Sequence, residues 1–301
     1  MKNKILGPAA ALFLMASMAL PAAAAVAAAS GADAGFKPTV ALKLFGGLGY
    51  QAIGDLNTGL KGFSDSIIYV DMSLFYSAGG GYCLMHYGLD AGGDLIFQFS
   101  RYVGIGVGSG YLRTARKSEL RLTAPDPSLH NELWTFDPVV SVVPIRVGLF
   151  LFVPIGGYSK ISLNIGPEYY LASVQSNLRD DYPAWWWNER NEEFSGRGFG
   201  VHGGIGFEIG LSSKVALILE GQGRLAKINE LTGTHVYKNS FGFEEQIEGT
   251  LYYWTDYWTF KPFPYVFISK TLPSEPWQSN PRKAVLDLSG WSAVTGFIFR
   301  F

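Results

Sequence analysis

Residues 215–225 have the sequence Val-Ala-Leu-Ile-Leu-Glu-Gly-Gln-Gly-Arg-Leu, and this stretch decides the fold class. One face of an extended chain would carry the apolar Val215, Leu217, Leu219 and Leu225. The other face becomes polar at Glu220, Gln222 and Arg224. A period of two is that of a β-strand with two unlike faces. When such a strand crosses a membrane in a β-barrel, its apolar face contacts lipid and its polar face lines the lumen.

Similar alternation predicts about eight strands in the whole chain. They span residues 39–51, 87–99, 103–115, 139–154, 161–175, 198–211, 215–228 and 288–301. The connections at residues 100–102, 155–159 and 212–214 are short, and the remaining connections are long. We therefore expect an all-β fold: a closed antiparallel transmembrane β-barrel with short periplasmic turns and long extracellular loops. A hairpin in residues 250–271 would raise the number of strands to about ten.

The composition excludes several classes of protein. Charged residues make up 16% of the chain, against roughly 25% in an average soluble protein. Aromatic residues reach 15%, and the chain has 37 glycines. This is not the composition of a typical cytosolic enzyme. The net charge of −1 provides no general attraction for nucleic acid.

The first residues have the pattern of an export signal. Lys2 and Lys4 precede an apolar stretch at residues 5–20, and small residues follow at 22–25. We expect a signal peptide over residues 1–25, with cleavage as late as about residue 34. A linker at 26–38 and the barrel at 39–301 would follow. The alternative is a retained N-terminal membrane helix, because the apolar stretch is long enough to span a bilayer.

Polar residues on the inward positions of the predicted strands carry nearly balanced charge. The residues expected to form a lumen charge network are Lys43, Asp90, Asp94, Arg146, Glu168, His202, Glu208, Glu220 and Arg224. Gln98, Asn164, Gln222 and Arg300 share the same parity. A barrel of about eight strands has an interior that side chains can fill. We therefore expect a closed, ion-paired lumen and not a pore.

Two prolines lie inside neighbouring predicted strands, at Pro144 and Pro167. Proline cannot donate to the strand ladder, and a closed barrel has no free edge for it. We expect a bulge at each proline, which would reverse the parity beyond it.

The last residues, 288–301, have the sequence Leu-Ser-Gly-Trp-Ser-Ala-Val-Thr-Gly-Phe-Ile-Phe-Arg-Phe. A terminal aromatic residue with others at alternate positions, here Phe297, Phe299 and Phe301, resembles the assembly signal of bacterial outer-membrane proteins. Residues 203–208 and 220–224 resemble the glycine-rich strands of the small outer-membrane β-barrel superfamily of OmpA, OmpX and OmpW type. The resemblance extends over residues 39–301 and implies a Gram-negative outer membrane, a lipid environment and recognition by the barrel-assembly machinery.

Function does not follow from this resemblance, because related barrels include structural anchors, adhesins, small porin-like channels for hydrophobic solutes and lipid enzymes. Residues 198–203 match a dinucleotide-binding pattern but lie within a predicted strand. Residues 55–59 begin like a calcium loop without its later ligands, and we expect a polar turn there. The four histidines lack metal-ligand spacing. We expect no enzyme, no cofactor and no metal.

Tryptophans are concentrated in the predicted long loops. The candidate external binding residues are Trp134, Trp185, Trp186, Trp187, Trp254, Trp258 and Trp277. Exposed aromatic surface usually marks an interaction site. The alternative is that these loops pack together as a cap.

The leading hypothesis is a structural or surface-interaction protein of the outer membrane that contacts a glycan, lipid or protein at the cell surface. The alternative is a small channel for hydrophobic solutes, and a membrane-embedded lipid-modifying enzyme comes third. We expect a monomer that does not bind nucleic acid.

Overall fold

The computed structural model describes residues 36–301, apart from 74–75, 127–129, 157–158, 183–185 and 258–260. The predicted signal peptide lies outside the described residues. The elements are β1 Thr39–Gln51, α1 Asp55–Ser73, β2 Ser77–Gly80, β3 Tyr87–Gln98, β4 Val103–Ala115, β5 Ser118–Thr123, β6 Glu132–Gly156, β7 Ser159–Tyr182, β8 Trp186–Gly210, β9 Val215–Ile228, β10 Leu231–Asn239, β11 Glu244–Asp256, β12 Phe263–Ser269, β13 Gln278–Lys283, β14 Leu286–Asp287 and β15 Gly290–Arg300.

Eight of these strands pair in a closed cycle. In order around the cycle they are β1, β3, β4, β6, β7, β8, β9 and β15, and β15 pairs again with β1. All eight pairings are antiparallel. The sheet therefore has no free edge, and we call it the closed sheet. Its lower end carries the short turns, and its upper end carries the long connections.

The predicted strands are the strands of this cycle. β1, β4 and β9 have the predicted bounds, while β6, β7 and β8 extend further than predicted. The suspected extra hairpin forms β11 and β12, which pair with each other outside the cycle. The cycle therefore keeps eight strands.

The expected bulges at Pro144 and Pro167 are wrong. The register of β6 on β7 passes through Pro144, opposite Tyr170, without a shift. The register of β7 on β8 passes in the same way through Pro167, opposite Val201. A proline removes only its own N–H from the ladder, and here the neighbouring pairs hold the chain in place. The parity beyond Pro167 is therefore kept, and Glu168 faces inward and is buried.

The sheet continues above the closed cycle. β6, β7 and β8 have 25, 24 and 25 residues, whereas β1 has 13. The upper part of β6 pairs with β5, which pairs with β2, and the upper part of β8 pairs with β10, which is followed in order by β11 and β12. We use the name cap for α1, β2, β5 and β10–β14, together with the upper parts of three long strands. These parts are β6 before residue 142, β7 after residue 170 and β8 before residue 198.

Helix α1 lies inside the cap, where a polar turn was expected at residues 55–59. Ile53 and Gly54, both with positive φ, turn the chain from β1 into the helix. Leu56, Leu60 and Phe63 then follow at helical spacing and are buried. The side chain of Asp55 accepts from the N–H of Val285 at 2.7 Å, so it ties the start of the helix to the cap.

Helix α1 packs closely on β12. A Cβ atom at Gly62 would lie 2.0 Å from the carbonyl oxygen of Pro264, so only glycine permits this approach. On another side, the buried Asn57 amide donates to the Met85 carbonyl at 2.8 Å and accepts from the Met85 N–H at 3.0 Å. These contacts fix α1 as the centre of a cap core and place it above the lumen.

Candidate functional site

The outer face of the closed sheet changes character at one height on three neighbouring strands. Below this height the outward side chains are apolar, and above it they are mostly polar, with the half-buried Leu133, Val139 and Trp187 as exceptions. The last exposed apolar positions are Val143 on β6, Leu171 on β7 and Phe199 on β8. Val143 lies opposite Leu171, and Leu171 lies opposite Arg197, the first cation above Phe199. We call this boundary the inversion line, because the inward faces change in the opposite sense.

Next to the line the inward faces of the same strands show the reverse order, although Phe150 and Phe152 are buried further below it and Glu132 and Asp180 further above it. Below the line they bury Arg146 on β6 and Glu168 on β7. Above it they bury Phe136 and Val140 on β6 and Val174 on β7. A strand that hides polar groups below and apolar groups above has different surroundings at its two ends.

Aromatic residues occur near both ends of the apolar outer face. Near the inversion line the exposed rings include Tyr87, Tyr111, Phe199 and Trp291. Near the short turns they include Phe97, Phe99, Phe297 and Phe301. Two such belts are typical of the two lipid interfaces of a membrane barrel.

The interior is divided into layers, which β9 displays in order. Its inward residues are first Ala216 and Ile218, then Glu220 and Arg224, and finally Ile228. The first two belong to a lower apolar layer, formed by Ala41, Ile96, Phe150, Phe152, Ala216, Ile218 and Ile298. The last belongs to the core of the cap. A layer of charged groups is therefore enclosed between two apolar layers.

All nine residues predicted for the lumen network are buried. The structure connects six of them in one chain of contacts. Lys43 Nζ lies 2.7 Å from Glu220 and 3.1 Å from Asp94. Arg146 Nε donates to Asp94 at 2.6 Å, and its Nη1 lies 3.8 Å from Glu168. Glu168 also lies 3.7 Å from His202 Nδ1.

The remaining three predicted residues form two separate pairs. Arg224 pairs with Asp90 and donates to Ser292 Oγ at 3.0 Å. Glu208 pairs with Arg300 below the lower apolar layer. Arg224 therefore does not share a direct contact with Glu220 or Arg146, as a single network would require. Glu220 and Arg224 are four positions apart on one strand, so each meets different partners across the lumen.

This interior is suited to closing the lumen. Each buried carboxylate has a cation within contact distance, which offsets part of the cost of removing charge from water. The close fit also depends on small residues: a Cβ atom at Gly108 would lie 2.0 Å from Asp94 Oδ1. An ion crossing the lumen would have to displace these pairs and then cross the apolar layers.

The cap core is organised around Phe63 of α1. The ring of Phe63 meets those of Trp134, Phe136, Tyr265 and Phe267 edge-on, with centroids 5.4–6.4 Å apart. The Arg190 guanidinium lies over both the Phe63 and the Phe267 rings, 5.6 and 5.7 Å from their centroids. This is the arrangement of a packed core with one enclosed cation.

The expectation of exposed tryptophan loops is therefore wrong for Trp134 and Trp254. Trp134 packs against the cap core, and Trp254 is buried with its ring stacked 5.9 Å from that of Tyr265. Large aromatic rings bury more apolar area inside the cap than on its surface. Of the others, Trp277 is exposed, and Trp186 stacks on Tyr182 at 4.0 Å.

Two of the remaining tryptophans, Trp185 and Trp258, lie outside the described residues. Trp187 lies under the Arg179 guanidinium, 4.8 Å from it. The most exposed aromatic residue of the cap is instead Phe241, at 81%, in the turn between β10 and β11. Its neighbour Phe243 is also exposed. This turn offers an apolar contact surface at the far end of the cap.

A group of carboxylates lies beside the cap core. Glu132 and Asp180 are buried, and the Trp134 indole donates to Glu132 Oε2 at 3.2 Å. Burial and the nearby Glu132 carboxylate raise the pKa of Asp180 to about 7. The same two causes raise the pKa of Asp71, near the end of α1, to about 6. The stability of the cap should therefore depend on pH.

Other predicted features have simple places in the fold. Residues 198–203 lie within β8, so they form no phosphate-binding turn. Among the described residues, no group of three or more His, Cys, Asp or Glu side chains could hold a metal ion. No helix in the described part of the chain is long and apolar enough to cross a membrane. Phe297 and Phe299 project outward from β15, and Phe301 follows it.

Several contributors were missed by the sequence analysis. Tyr170 donates its hydroxyl to Glu168, and Asn164 donates to Glu220 at 2.9 Å. Tyr170 shares the parity of Glu168 and could have been found by extending the inward face by one position. Helix α1 was signalled by Asp55 followed by Leu56, Leu60 and Phe63, but Gly59 and Gly62 obscured the pattern.

No family model and no curated protein sequence matches this chain. Among solved structures, the chain is similar to the crystal structure of the outer membrane protein OprG from Pseudomonas aeruginosa. The two chains share 8% sequence identity at a TM-score of 0.40, and the match covers 88% of this chain and 95% of the other. A likeness at this level establishes neither a shared family nor a shared function.

Proposed function

We propose that the chain is an outer-membrane β-barrel protein with a closed lumen and a cap that serves as a contact surface outside the cell. The observation that carries this proposal is the inversion line. An exposed apolar belt below the line requires lipid, because a water-exposed sheet would not present Val143, Leu171 and Phe199 at one height. A polar outer face above the line requires water.

The layered lumen supports a structural or surface-interaction role over the alternative of a channel. A solute entering from the cap would meet the packed aromatic core around Phe63. Beyond that core lie the paired charges and the lower apolar layer. The cap itself offers the exposed Phe241 and Phe243 to an external glycan, lipid or protein.

Topology provides the first test. In a Cys83→Ser background, Phe241→Cys should react with a membrane-impermeant biotin reagent on intact cells. Its matched control is Ser213→Cys in the short turn between β8 and β9, which should react only after lysis. The reverse pattern, or labelling of both sites without lysis, would overturn the proposed orientation.

Membrane insertion and closure need separate measurements. The folded protein should migrate differently from the boiled protein on gels, because the paired strands resist detergent until heated. In planar bilayers it should give no steady conductance. A protein that is extracted without detergent would contradict the membrane assignment, and steady openings would favour the channel.

The C-terminal aromatic residues give a further test, which rests on the family resemblance. Deletion of Phe301 should reduce the amount of assembled protein in the outer membrane. Deletion of a residue in the exposed turn at Gly242 is the control and should leave assembly unchanged. Equal outer-membrane levels of both proteins would count against a role of Phe301 in assembly.

A further inference from the structure

A groove opens on the outer wall at the inversion line, where β8 changes partners. Below this point Gly200–Gly210 pairs with β9, and above it Asn188–Gly196 pairs with β10. The chain crosses from β9 to β10 through Asn229 and Glu230. The branch leaves a groove of about 1100 Å³ between β7, β8 and the turn.

The lower part of the groove is apolar. The rings of Tyr169 and Phe199 lie against each other with centroids 4.9 Å apart. Phe199 is 77% exposed, and Leu171 beside it is also exposed. These three side chains belong to the apolar belt that the proposed function places in lipid.

The upper part of the groove is basic. Arg197 is exposed and has no hydrogen-bond or ion-pair partner among the described residues. The Lys227 side chain is 64% exposed and lies 3.9 Å from Asp287, its nearest acid. The one acid that lines the groove, Glu230, is held by Lys283 at 2.8 Å. Two cations therefore remain available to an anion.

The wall behind the groove is packed. Ala172, which reaches the groove, is buried, and Tyr170, Phe194 and Ile228 behind it belong to the cap core. A ligand in the groove would therefore stay on the outer wall and would not enter the lumen. This separates the groove from a lateral route for hydrophobic solutes.

We propose that this groove binds a phosphate-bearing lipid of the outer leaflet. The phosphate would lie between Arg197 and Lys227, and an acyl chain would lie along Phe199 and Leu171. A phosphate is the anion that guanidinium and ammonium groups bind best in this setting, because charge-assisted hydrogen bonds are strong where water is partly excluded. Arg197 lies two residues above Phe199 on β8 and opposite Leu171, so the cation borders the apolar residues as the headgroup of a lipid borders its chains.

This proposal rests on the proposed function, since it needs the belt to lie in lipid. The test therefore uses the full mature chain refolded in detergent, with heat-modifiable migration checked first. Loss of that migration would contradict the membrane assignment, whereas the lipid measurement addresses the groove alone. Native mass spectrometry would count the molecules of lipid A bound, with dephosphorylated lipid A and inorganic phosphate as the comparison ligands.

The variants separate the two parts of the groove. Arg197→Gln with Lys227→Gln should weaken retention of lipid A about tenfold. The control Arg113→Gln removes an exposed cation at a similar height on β4 and should leave retention unchanged. Phe199→Ala should weaken retention about threefold, whereas Phe207→Ala lower on β8 should not.

The proposal is supported if the wild type and the Arg113→Gln control bind lipid A in preference to its dephosphorylated form and the double variant does not. Equal retention by the double variant and by Arg113→Gln would overturn it. Equal binding of the dephosphorylated lipid would also overturn it, since the cations would then have no role. Displacement of lipid A by millimolar inorganic phosphate would show a free-anion site and overturn the lipid assignment.

Discussion

The lower and upper parts of β6 organise their two faces in opposite ways. Below the inversion line, Arg146 points inward and is buried, while Ile145 and Val147 point outward and are exposed. Above the line, Phe136 points inward and is buried, while its neighbour Asp137 is exposed. The backbone and its register are the same in both parts. The surroundings of a strand, and not its backbone geometry, therefore decide which side chains it hides.

The two parts also differ in what stabilises their interiors. The lower interior depends on pairs of opposite charge, each of which is favourable only while both members are present. The upper interior depends on apolar area removed from water, which is lost gradually as atoms are removed. Substitutions should therefore affect the lower part abruptly and the cap in proportion to the volume lost.

The largest effect should come from breaking one buried ion pair. Arg224→Met leaves Asp90 and Ser292 without their cation, and we expect the free energy of unfolding to fall by about 3–5 kcal/mol. Urea titration of the refolded protein, followed by tryptophan fluorescence, would measure the loss.

A second substitution should restore most of this stability. In Arg224→Met with Asp90→Asn no buried charge remains at this pair, so the urea midpoint should move back towards that of the wild type. Arg113→Met, on the outer face, is the control and should change little. An unchanged midpoint for Arg224→Met alone would show that the lower interior is wet and that the contrast with the cap is false.

A somewhat smaller effect should follow from a cavity in the cap. Phe136→Ala removes a ring that is 1% exposed and should cost the cap about 3–4 kcal/mol. Because the closed sheet does not depend on this ring, heat-modifiable migration should persist while trypsin cleaves at Arg179 or Arg190. Phe97→Ala, on the outer belt, should leave cleavage unchanged. Loss of heat-modifiable migration in Phe136→Ala would mean that cap and closed sheet fold as one unit.

Charge substitutions on the outer wall test whether the inversion line is the boundary of the lipid. Ile205→Arg, midway down the apolar face of β8, should cost about 2–4 kcal/mol, because the charge would lie near the bilayer centre. Leu171→Arg, at the line, should cost at most about 1 kcal/mol, because its charge can reach water. Equal costs for the two variants in lipid vesicles would contradict a lipid boundary at this height.

The lower part could be predicted from sequence because its alternation is complete. Glu220 and Arg224 lie on the face opposite to Leu219, and period two is enough to place all three. The partners could not be predicted, since the contact of Lys43 with Glu220 depends on how the cycle closes. The inward residues were therefore predictable from the sequence, whereas their partners were not.

A cap was one of two alternatives for the long loops and its structure could not be predicted, because its strands bury apolar residues as the strands of soluble proteins do. Above the inversion line the inward positions of these strands include apolar residues such as Phe136 and Val174. Such residues did not indicate an inward face, because the inward face was predicted from polar residues. Helix α1 was hidden by Gly59 and Gly62, which are poor helix formers and are there because β12 packs so closely. Trp134 and Trp254 were assigned to the surface because nothing nearby in sequence indicated the helix that covers them.

The smallest effect concerns the pH dependence of the cap. The pKa of Asp180 is about 7 and that of Asp71 about 6 in the folded cap, against about 4 for an unfolded aspartate. Between these values the folded cap holds protons that the unfolded chain has released. Its stability should therefore fall as the pH rises from about 4 to about 7 and should then stay low.

The Asp180→Asn variant separates this effect from any general acid response. Asparagine keeps the shape but removes the repulsion from Glu132, so the variant should be more stable than the wild type at pH 8 and similar to it at pH 4. Solvent screens part of the repulsion between Asp180 and Glu132, so we expect a gain of about 1–2 kcal/mol at pH 8. Asp181→Asn, on the outer face of the same strand, is the matched control. Urea titration at both pH values, followed by tryptophan fluorescence, would report the difference. A gain that is the same at pH 4 and pH 8 would mean that the Asp180 carboxylate does not titrate with the folded cap.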